Sequence, residues 1–460
     1  MRITKGRIFL LVLIVVLSIG LYYGIQAGKI ATSYFAKIAC SCTMVSNRPI
    51  ESVLEEDLSK YSFIKAEVNR EEKSVNASLY GLINSKAIFR KGLGCTLVNG
   101  YTEEEIRNQV KEKNLLSPYD NSLLGWAKED FEVTIPTEFD SAKLTEAVEK
   151  AFTENDPEKI KRSRAIVVVY KGKIIAEKYG KGIDKETPLL GWSMTKSVIN
   201  ALVGVLVKDG KIDINDKAPI DEWQGDSRRE ITLDQMLRMS SGLEFKEVYN
   251  VVADATKMLF ISPEAAKVAI NQPLIDSPDS IWSYSSGTTN IISSIIKKTL
   301  NTSQTDYFNF PRKVLFNRIG MTSAIMEPDP SGTFVGSSFM YATARDWARF
   351  GLLYLNDGVW EGERILPKEW VKYSSTPTPK APMGQYGAHF WLNAGENKEG
   401  ENRKWQYLPK DMYHAAGFEG QNVVIIPSRD LIIVRLGNTQ SRDAWDIGVL
   451  VKDILEAQNQ

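Results

Sequence analysis

The sequence predicts an α+β fold in which strands from both ends of the main domain pair in one antiparallel sheet flanked by helices. Three observations predict it. Ala165–Tyr170 (AIVVVY) and Ile174–Tyr179 flank a Lys171-Gly172-Lys173 turn and read as a hairpin rich in β-branched residues. Near the C-terminus, Asn422–Ile426 and Leu431–Leu436 flank Pro427-Ser428-Arg429-Asp430 and read as a second hairpin. Between them the pattern is mainly helical with long loops, so helices must cover a sheet built from terminal strands, with an all-helical region beside it.

Taken in order, the elements start with Ile8–Ala27, a stretch of 20 residues with no formal charge. As a helix it spans roughly 30 Å, the thickness of a hydrocarbon core. Arg2, Lys5 and Arg7 precede it, which places the N-terminus in the cytoplasm and the rest of the chain outside. Tyr22 and Tyr23 fall near its far end, where aromatic side chains favour the headgroup region. The apolar core is long, and Ile25-Gln26-Ala27 has no small residue at −3. Residues 1–29 are therefore read as a cytoplasmic tail and an uncleaved signal-anchor rather than a cleaved signal peptide.

Residues 30–135 are expected to form a small β-rich extension and a connector. Ser62–Val68 and Ser74–Gly81 suggest a hairpin around Arg70-Glu71-Glu72-Lys73, and Ala87–Val98 suggests a further strand. Residues 101–135 are charged and turn-rich. Export makes disulfides possible, and a structural bridge is expected from Cys95 to Cys40 or Cys42, leaving one free thiol. Residues 136–460 form the main domain, with a helix over Ser141–Phe152 and a closing amphipathic helix over about Arg442–Glu456.

Composition removes several function classes. The 57 Lys+Arg balance 57 Asp+Glu, so no basic surface is set aside for nucleic acid. This zero is a sum: residues 1–29 carry four basic residues and no acid, leaving the remainder at −4. Two His and three Cys, with neither a His-Glu-x-x-His nor a Cys-x-x-Cys spacing, offer no metal site. No Gly-rich phosphate loop occurs, so neither metal nor organic cofactor is expected, and the lack of a Gly-x-Ser-x-Gly elbow counts against an α/β-hydrolase.

Ser-x-x-Lys occurs three times. Ser62–Lys65 lies in a strand, where the two side chains point to opposite faces, and Ser294–Lys297 lies inside a helix. Ser193-Met194-Thr195-Lys196 follows a loop, Pro188–Trp192, and opens the apolar run Val198–Val207, which stops at Asp209-Gly210. A serine there sits beside unpaired backbone N–H groups at the positive end of the helix dipole. Lys196, one turn on, shares its face. Burial would lower the pKa of the lysine and let it hold the serine's proton.

Ser193–Lys196 with its following helix resembles the first motif of the penicillin-recognising serine hydrolases. That family includes class C β-lactamases, DD-peptidases, family VIII esterases and 6-aminohexanoate-dimer hydrolases. Tyr284-Ser285-Ser286 fits the Tyr-x-Ser form of its second motif. Thr232–Leu243, Ala342–Leu353 and Gly417–Gln421 resemble further segments in the same order, and the likeness covers about residues 150–460. The resemblance implies a β-lactamase/transpeptidase-like fold. It makes Ser193 the acylated nucleophile and Lys196 and Tyr284 the proton carriers, with a cation at Lys196 lowering the Tyr284 pKa. Ser286 would stand where β-lactamases carry an asparagine, and the backbone N–H groups of Ser193 and Phe418 would form the oxyanion hole.

The third motif departs from the pattern. Aligned on Gly417, Ala415 and Ala416 stand where the family's carboxylate-holding cation and hydroxyl belong, with His414 one position early and expected to line the pocket. This puts β-lactam and D-Ala-D-Ala recognition in doubt and points to amide or ester hydrolysis of a small molecule, resembling the 6-aminohexanoate-dimer hydrolase and esterase-like branch. His389 reads as structural. Trp192, Trp282, Phe390 and Trp391 are candidates for an apolar wall, and specificity is assigned to loops around 211–230, 244–280 and 375–412. The expected protein is thus a single-pass protein of the bacterial cytoplasmic membrane with its catalytic domain on the periplasmic or extracellular side. Its oligomeric state is left open. Two alternatives stay open: a non-hydrolytic penicillin-binding sensor or degenerate binding protein of the same fold, and a true β-lactamase or DD-peptidase.

Overall fold

The computed structural model describes residues 5–118 and 133–459. Its centre is a six-stranded antiparallel sheet built from the two ends of the main domain. The strands are β5 (Ser163–Tyr170), β6 (Lys173–Tyr179), β7 (Trp391–Leu392), β8 (Tyr413–Gly417), β9 (Gln421–Ile426) and β10 (Leu431–Gly437), in the order β7-β8-β9-β10-β5-β6. The expected joining of the two hairpins is made by β10 and β5, with Val434 opposite Val167 and Ile432 opposite Val169. β5 and β10 are buried along their whole length because helices cover both faces, so Val/Ile runs replace polar alternation.

On one face Ile166, Val168 and Ile433 pack against two terminal helices, α2 (Ser141–Phe152) and α6 (Ile447–Ala457). On the other, Val167, Val169 and Ile432 pack against α3 (Thr195–Lys208) and α5 (Ala344–Leu355). Asp140 caps α2 by accepting from the Ala142 and Lys143 amides. The last helix starts later than expected. Asp446 accepts from Gly448 N and holds the Trp405 indole, so it caps α6 at Ile447 and leaves Arg442–Ala444 as a separate 3₁₀ turn. A further helix, α4 (Ser286–Leu300), packs beside α3 in the helical region.

The N-terminal part differs most from expectation. One helix, α1 (Lys5–Met44), runs 40 residues without a break, so the boundary expected at residue 29 falls inside it. Its first half is exposed, and its second half is buried beneath a four-stranded sheet ordered β1-β2-β3-β4. The strands are β1 (Ile64–Asn69), β2 (Ser74–Leu79), β3 (Ile83–Arg90) and β4 (Gly94–Leu97). The single strand expected over 87–98 is two strands, because Gly92 (φ +81°) and Gly94 (φ +65°) turn the chain. Gly28 lets helix and sheet touch: a Cβ there would lie 2.5 Å from Ile83 Cδ1.

Cys40 and Cys95 form a disulfide that ties α1 to β4, and Cys42 is a buried free thiol. The same helix is stitched to the main domain through Glu327. This buried carboxylate pairs with Lys37 and accepts from Ser41 Oγ at 2.7 Å and from Cys95 N at 2.6 Å. The expected connector holds a short helix, Glu103–Asn108, closed by a capping box between Thr102 and Glu105. Residues 119–132 of that connector lie outside the described residues. Among the described helices, one is long and apolar enough to cross a membrane.

Candidate active site

Ser193 sits in a 3₁₀ turn, Trp192–Met194, that leads directly into α3. Trp192 holds φ +47°, a conformation costly for a bulky residue and sustained here by its surroundings. Its ring packs against Phe339 and Phe418, with centroids 6.1 and 5.8 Å away, and its indole N–H donates to Glu419 at 3.3 Å. Gly191 N donates to Met340 O on a small three-stranded sheet. On the other side Gly191 O presses on Gly417, where a Cβ would lie only 2.2 Å away. Gly417 is thus required for close approach, and the approach brings the end of β8 and Phe418 to the Ser193 turn.

Lys196 is buried one helical turn beyond Ser193. Its Nζ donates to Ser193 Oγ at 3.2 Å, to Ser286 Oγ at 2.9 Å and to Ser337 O at 2.9 Å. It also lies 4.9 Å from the Tyr284 ring centroid. Burial pushes its pKa down to about 8, with the Glu247 carboxylate acting in the opposite sense.

Tyr284 stacks on Trp391 at 5.4 Å and meets Tyr386 edge-on at 5.9 Å. The expected lowering of its pKa is not found. Burial raises it, the Glu247 charge raises it further, and a hydrogen bond with Ser193 only partly offsets both. The physical reason is placement: Lys196 approaches the ring face, and desolvation of the phenolate dominates. Near neutral pH Tyr284 therefore keeps its proton and can donate a hydrogen bond, while the lowered pKa of Lys196 lies nearer neutrality.

Ser286 begins α4, and the Ser285 hydroxyl caps that helix by accepting from Thr288 N. Ser286 Oγ, besides accepting from Lys196, donates to Glu247 Oε1 at 2.5 Å, and its amide donates to Glu247 Oε2 at 2.8 Å. Tyr249 OH donates to the same carboxylate and lies 3.1 Å from Ser286 Oγ. Glu247 and Tyr249 were missed by motif reading. The one available signal was their position in the 244–280 loop, because a carboxylate far along the chain carries no spacing to the serine.

His414 is not at the site. It is buried with Nδ1 3.1 Å from Asn422 Oδ1 and its ring against Trp405, and burial pushes its pKa down to about 4. Three residues of extended strand separate it from Gly417, roughly 10 Å. His389 binds the Lys196 carbonyl through Nδ1 at 2.8 Å and Thr289 Oγ1 through Nε2 at 3.2 Å, which ties α3 to α4. Its pKa is pushed down to about 3 by burial and by Lys196, so it stays neutral. Of the expected aromatic wall, Trp282 and Trp391 flank Tyr284 together with Tyr386. Phe390 instead lies in the core between Tyr354 and Tyr413, and Trp192 supports the opposite side. Ala415 and Ala416 leave β8 without a cation or hydroxyl at those two positions. Among the described residues no cluster of His, Cys, Asp and Glu has the arrangement of a metal site.

A family model described as Beta-lactamase matches residues 149–451. The chain is 22% identical to a 6-aminohexanoate-dimer hydrolase of Paenarthrobacter ureafaciens over 305 residues, covering 61% of this chain and 73% of that one. Among solved structures, a penicillin-binding protein homologue from Caulobacter crescentus superposes with a TM-score of 0.54 at 14% identity, covering 71% of this chain and 98% of its own. A family VIII carboxylesterase superposes with a TM-score of 0.53 at 14% identity, covering 71% and 99%. At such identities the two structures establish the fold.

Proposed function

Because the chain belongs to the Beta-lactamase family, we propose that it is a membrane-anchored, exported serine hydrolase that cleaves an amide or ester through an acyl-enzyme. The observation that carries this reading is the position of Lys196 Nζ, within hydrogen-bond reach of both Ser193 Oγ and Ser286 Oγ, with its pKa pushed down to about 8.

In the first step Ser193 Oγ attacks the substrate carbonyl and passes its proton to neutral Lys196. The backbone N–H groups of Ser193 and Phe418 receive the developing oxyanion. The tetrahedral centre then collapses, the C–N or C–O bond breaks, and the proton moves from Lys196 through the Tyr284 hydroxyl to the leaving group. Water attacks the acyl-enzyme by the reverse route and frees Ser193. The missing side-chain cation and hydroxyl at Ala415 and Ala416 favour substrates without a carboxylate beside the scissile bond. Two exposed apolar side chains on segments that reach the site, Phe418 against Trp192 and Val248 next to Glu247, suit an uncharged acyl chain.

The anchor reading rests on the uncharged stretch Ile8–Ala27, of which Phe9–Ile25 are exposed along α1, and on the basic residues before it. Full-length protein is expected to hydrolyse nitrophenyl acyl esters, and Ser193→Ala to abolish this. A fluorophosphonate should add once to the native chain by intact mass and not to the variant. Unchanged hydrolysis in Ser193→Ala refutes the assignment.

A further inference from the structure

We infer that the chain meets the lipid bilayer at a second place, the tip of the β2–β3 hairpin at Tyr80 and Leu82, with Phe63 beside it. This rests on the anchor reading above and extends it. The three side chains are 77%, 85% and 47% exposed, and all lie at one end of the four-stranded sheet. Ile64 opposes Leu79 and Leu79 opposes Ile83, so Phe63, just before β1, shares that end with the tip.

The end in question is the one that faces the apolar span. Gly28 touches Ile83 and Leu79, Lys29 Nζ donates to Asn84 O, and Thr32 Oγ1 meets Ser85 Oγ. β3 therefore starts beside the first residue after Ala27 and runs away from the span alongside α1, towards the Cys40–Cys95 bridge. Tyr22 and Tyr23 lie roughly 8–9 Å below Gly28 along the helix, within an interfacial layer of that order. The opposite end of the sheet carries the charged turn Arg70-Glu71-Glu72-Lys73, roughly 20 Å farther out. One end is thus apolar and aromatic and the other is charged.

The turn itself does not explain Tyr80. It holds φ +52° before Gly81 at φ +75°, a pair of positions where Asn or Gly is strongly preferred. An exposed aromatic there costs conformational energy without any packing return inside the chain. A bilayer interface supplies that return, because tyrosine and leucine gain by leaving water at the headgroup–acyl boundary. With α1 as one contact and the tip as another, the catalytic domain cannot pivot about its anchor. Gly28 to Cys42 spans about 21 Å of helix, and Cys42 lines the same cavity as Leu190 and Trp192. The Ser193 turn is then held on the order of 20 Å above the membrane.

The test uses the full chain in phosphatidylethanolamine/phosphatidylglycerol vesicles. An environment-sensitive NBD probe is placed singly by Leu82→Cys, Leu17→Cys or Glu71→Cys, in a Cys42→Ala background. The probe at position 82 should be quenched to about half by shallow 5-doxyl lipid, and the mid-span probe at 17 more strongly by 12-doxyl lipid, with position 71 unaffected. If 17 is quenched and 82 behaves like 71, the second contact is overturned and the anchor reading stands. A blue-shifted but unquenched probe at 82 means that protein covers the tip, which also overturns the proposal. If 17 is unquenched, the anchor reading falls and the proposal with it.

Discussion

Replacing Glu247 by Gln removes one negative charge beside Lys196 while keeping the shape of the side chain. Ser286 Oγ lies 2.9 Å from Lys196 Nζ and 2.5 Å from Glu247 Oε1. The two charges therefore lie within about 5 Å of each other, an interaction worth about 3 kcal/mol at an effective dielectric near 20 and about 1 kcal/mol where water screens the open side of Glu247. The carboxylate raises the lysine pKa, which burial has pushed down to about 8, so its loss lowers that pKa further. If neutral Lys196 takes the proton from Ser193, kcat/KM rises with pH to a plateau. The midpoint of that rise, expected near 8 in the native protein from the lowered Lys196 pKa, should fall by between about one and two pH units in Glu247→Gln. The assay is ester hydrolysis from pH 5 to 10, corrected with Ser193→Ala. A midpoint that stays in place or moves upward refutes Lys196 as the ionising group.

Gly417→Ala should lower kcat at least about 100-fold if Phe418 N–H is the proposed oxyanion donor, because the new Cβ collides with Gly191 O and displaces that amide. Activity within threefold of native, with circular dichroism unchanged, would remove Phe418 from that role. Lys37→Met leaves the buried Glu327 without its cation and should cost about 3–5 kcal/mol in denaturant titration, with Lys37→Met/Glu327→Gln recovering part of it. Equal losses in the single and double variants would show that the charge pairing is not what matters. Cys40→Ala/Cys95→Ala opens a loop with a sequence separation of 55 and should cost up to about 4 kcal/mol, read as a lower thermal midpoint. An unchanged midpoint would mean that Glu327 and the packing of α1 hold the extension without the bridge.

Some of this protein was written locally in its sequence. The β5–β6 and β9–β10 hairpins follow from β-branched runs around turn residues, and the α2 helix from an apolar period behind Asp140. Ser193 and Lys196 could be paired because one helical turn fixes their separation whatever the rest of the chain does. The apolar span was equally legible, since length and charge alone define it. Other features depend on contacts between segments far apart in sequence. The sequence placed a boundary where the apolar residues end. In the structure α1 continues, because Gly28, the Cys40–Cys95 bridge and Glu327 make burial of its second half worthwhile. The Tyr284 pKa follows from desolvation and the side from which Lys196 approaches, and neither is encoded in Tyr-x-Ser spacing. His414 stood one residue from a motif position, yet a strand side chain is assigned by its neighbours across the sheet, and those are Asn422 and Trp405. Glu247 entered the site with no motif at all. Periodicity and turn chemistry are properties of neighbouring residues and can be read from a chain. The dielectric around Lys196 and the charge that faces it exist only once the distant segments have met.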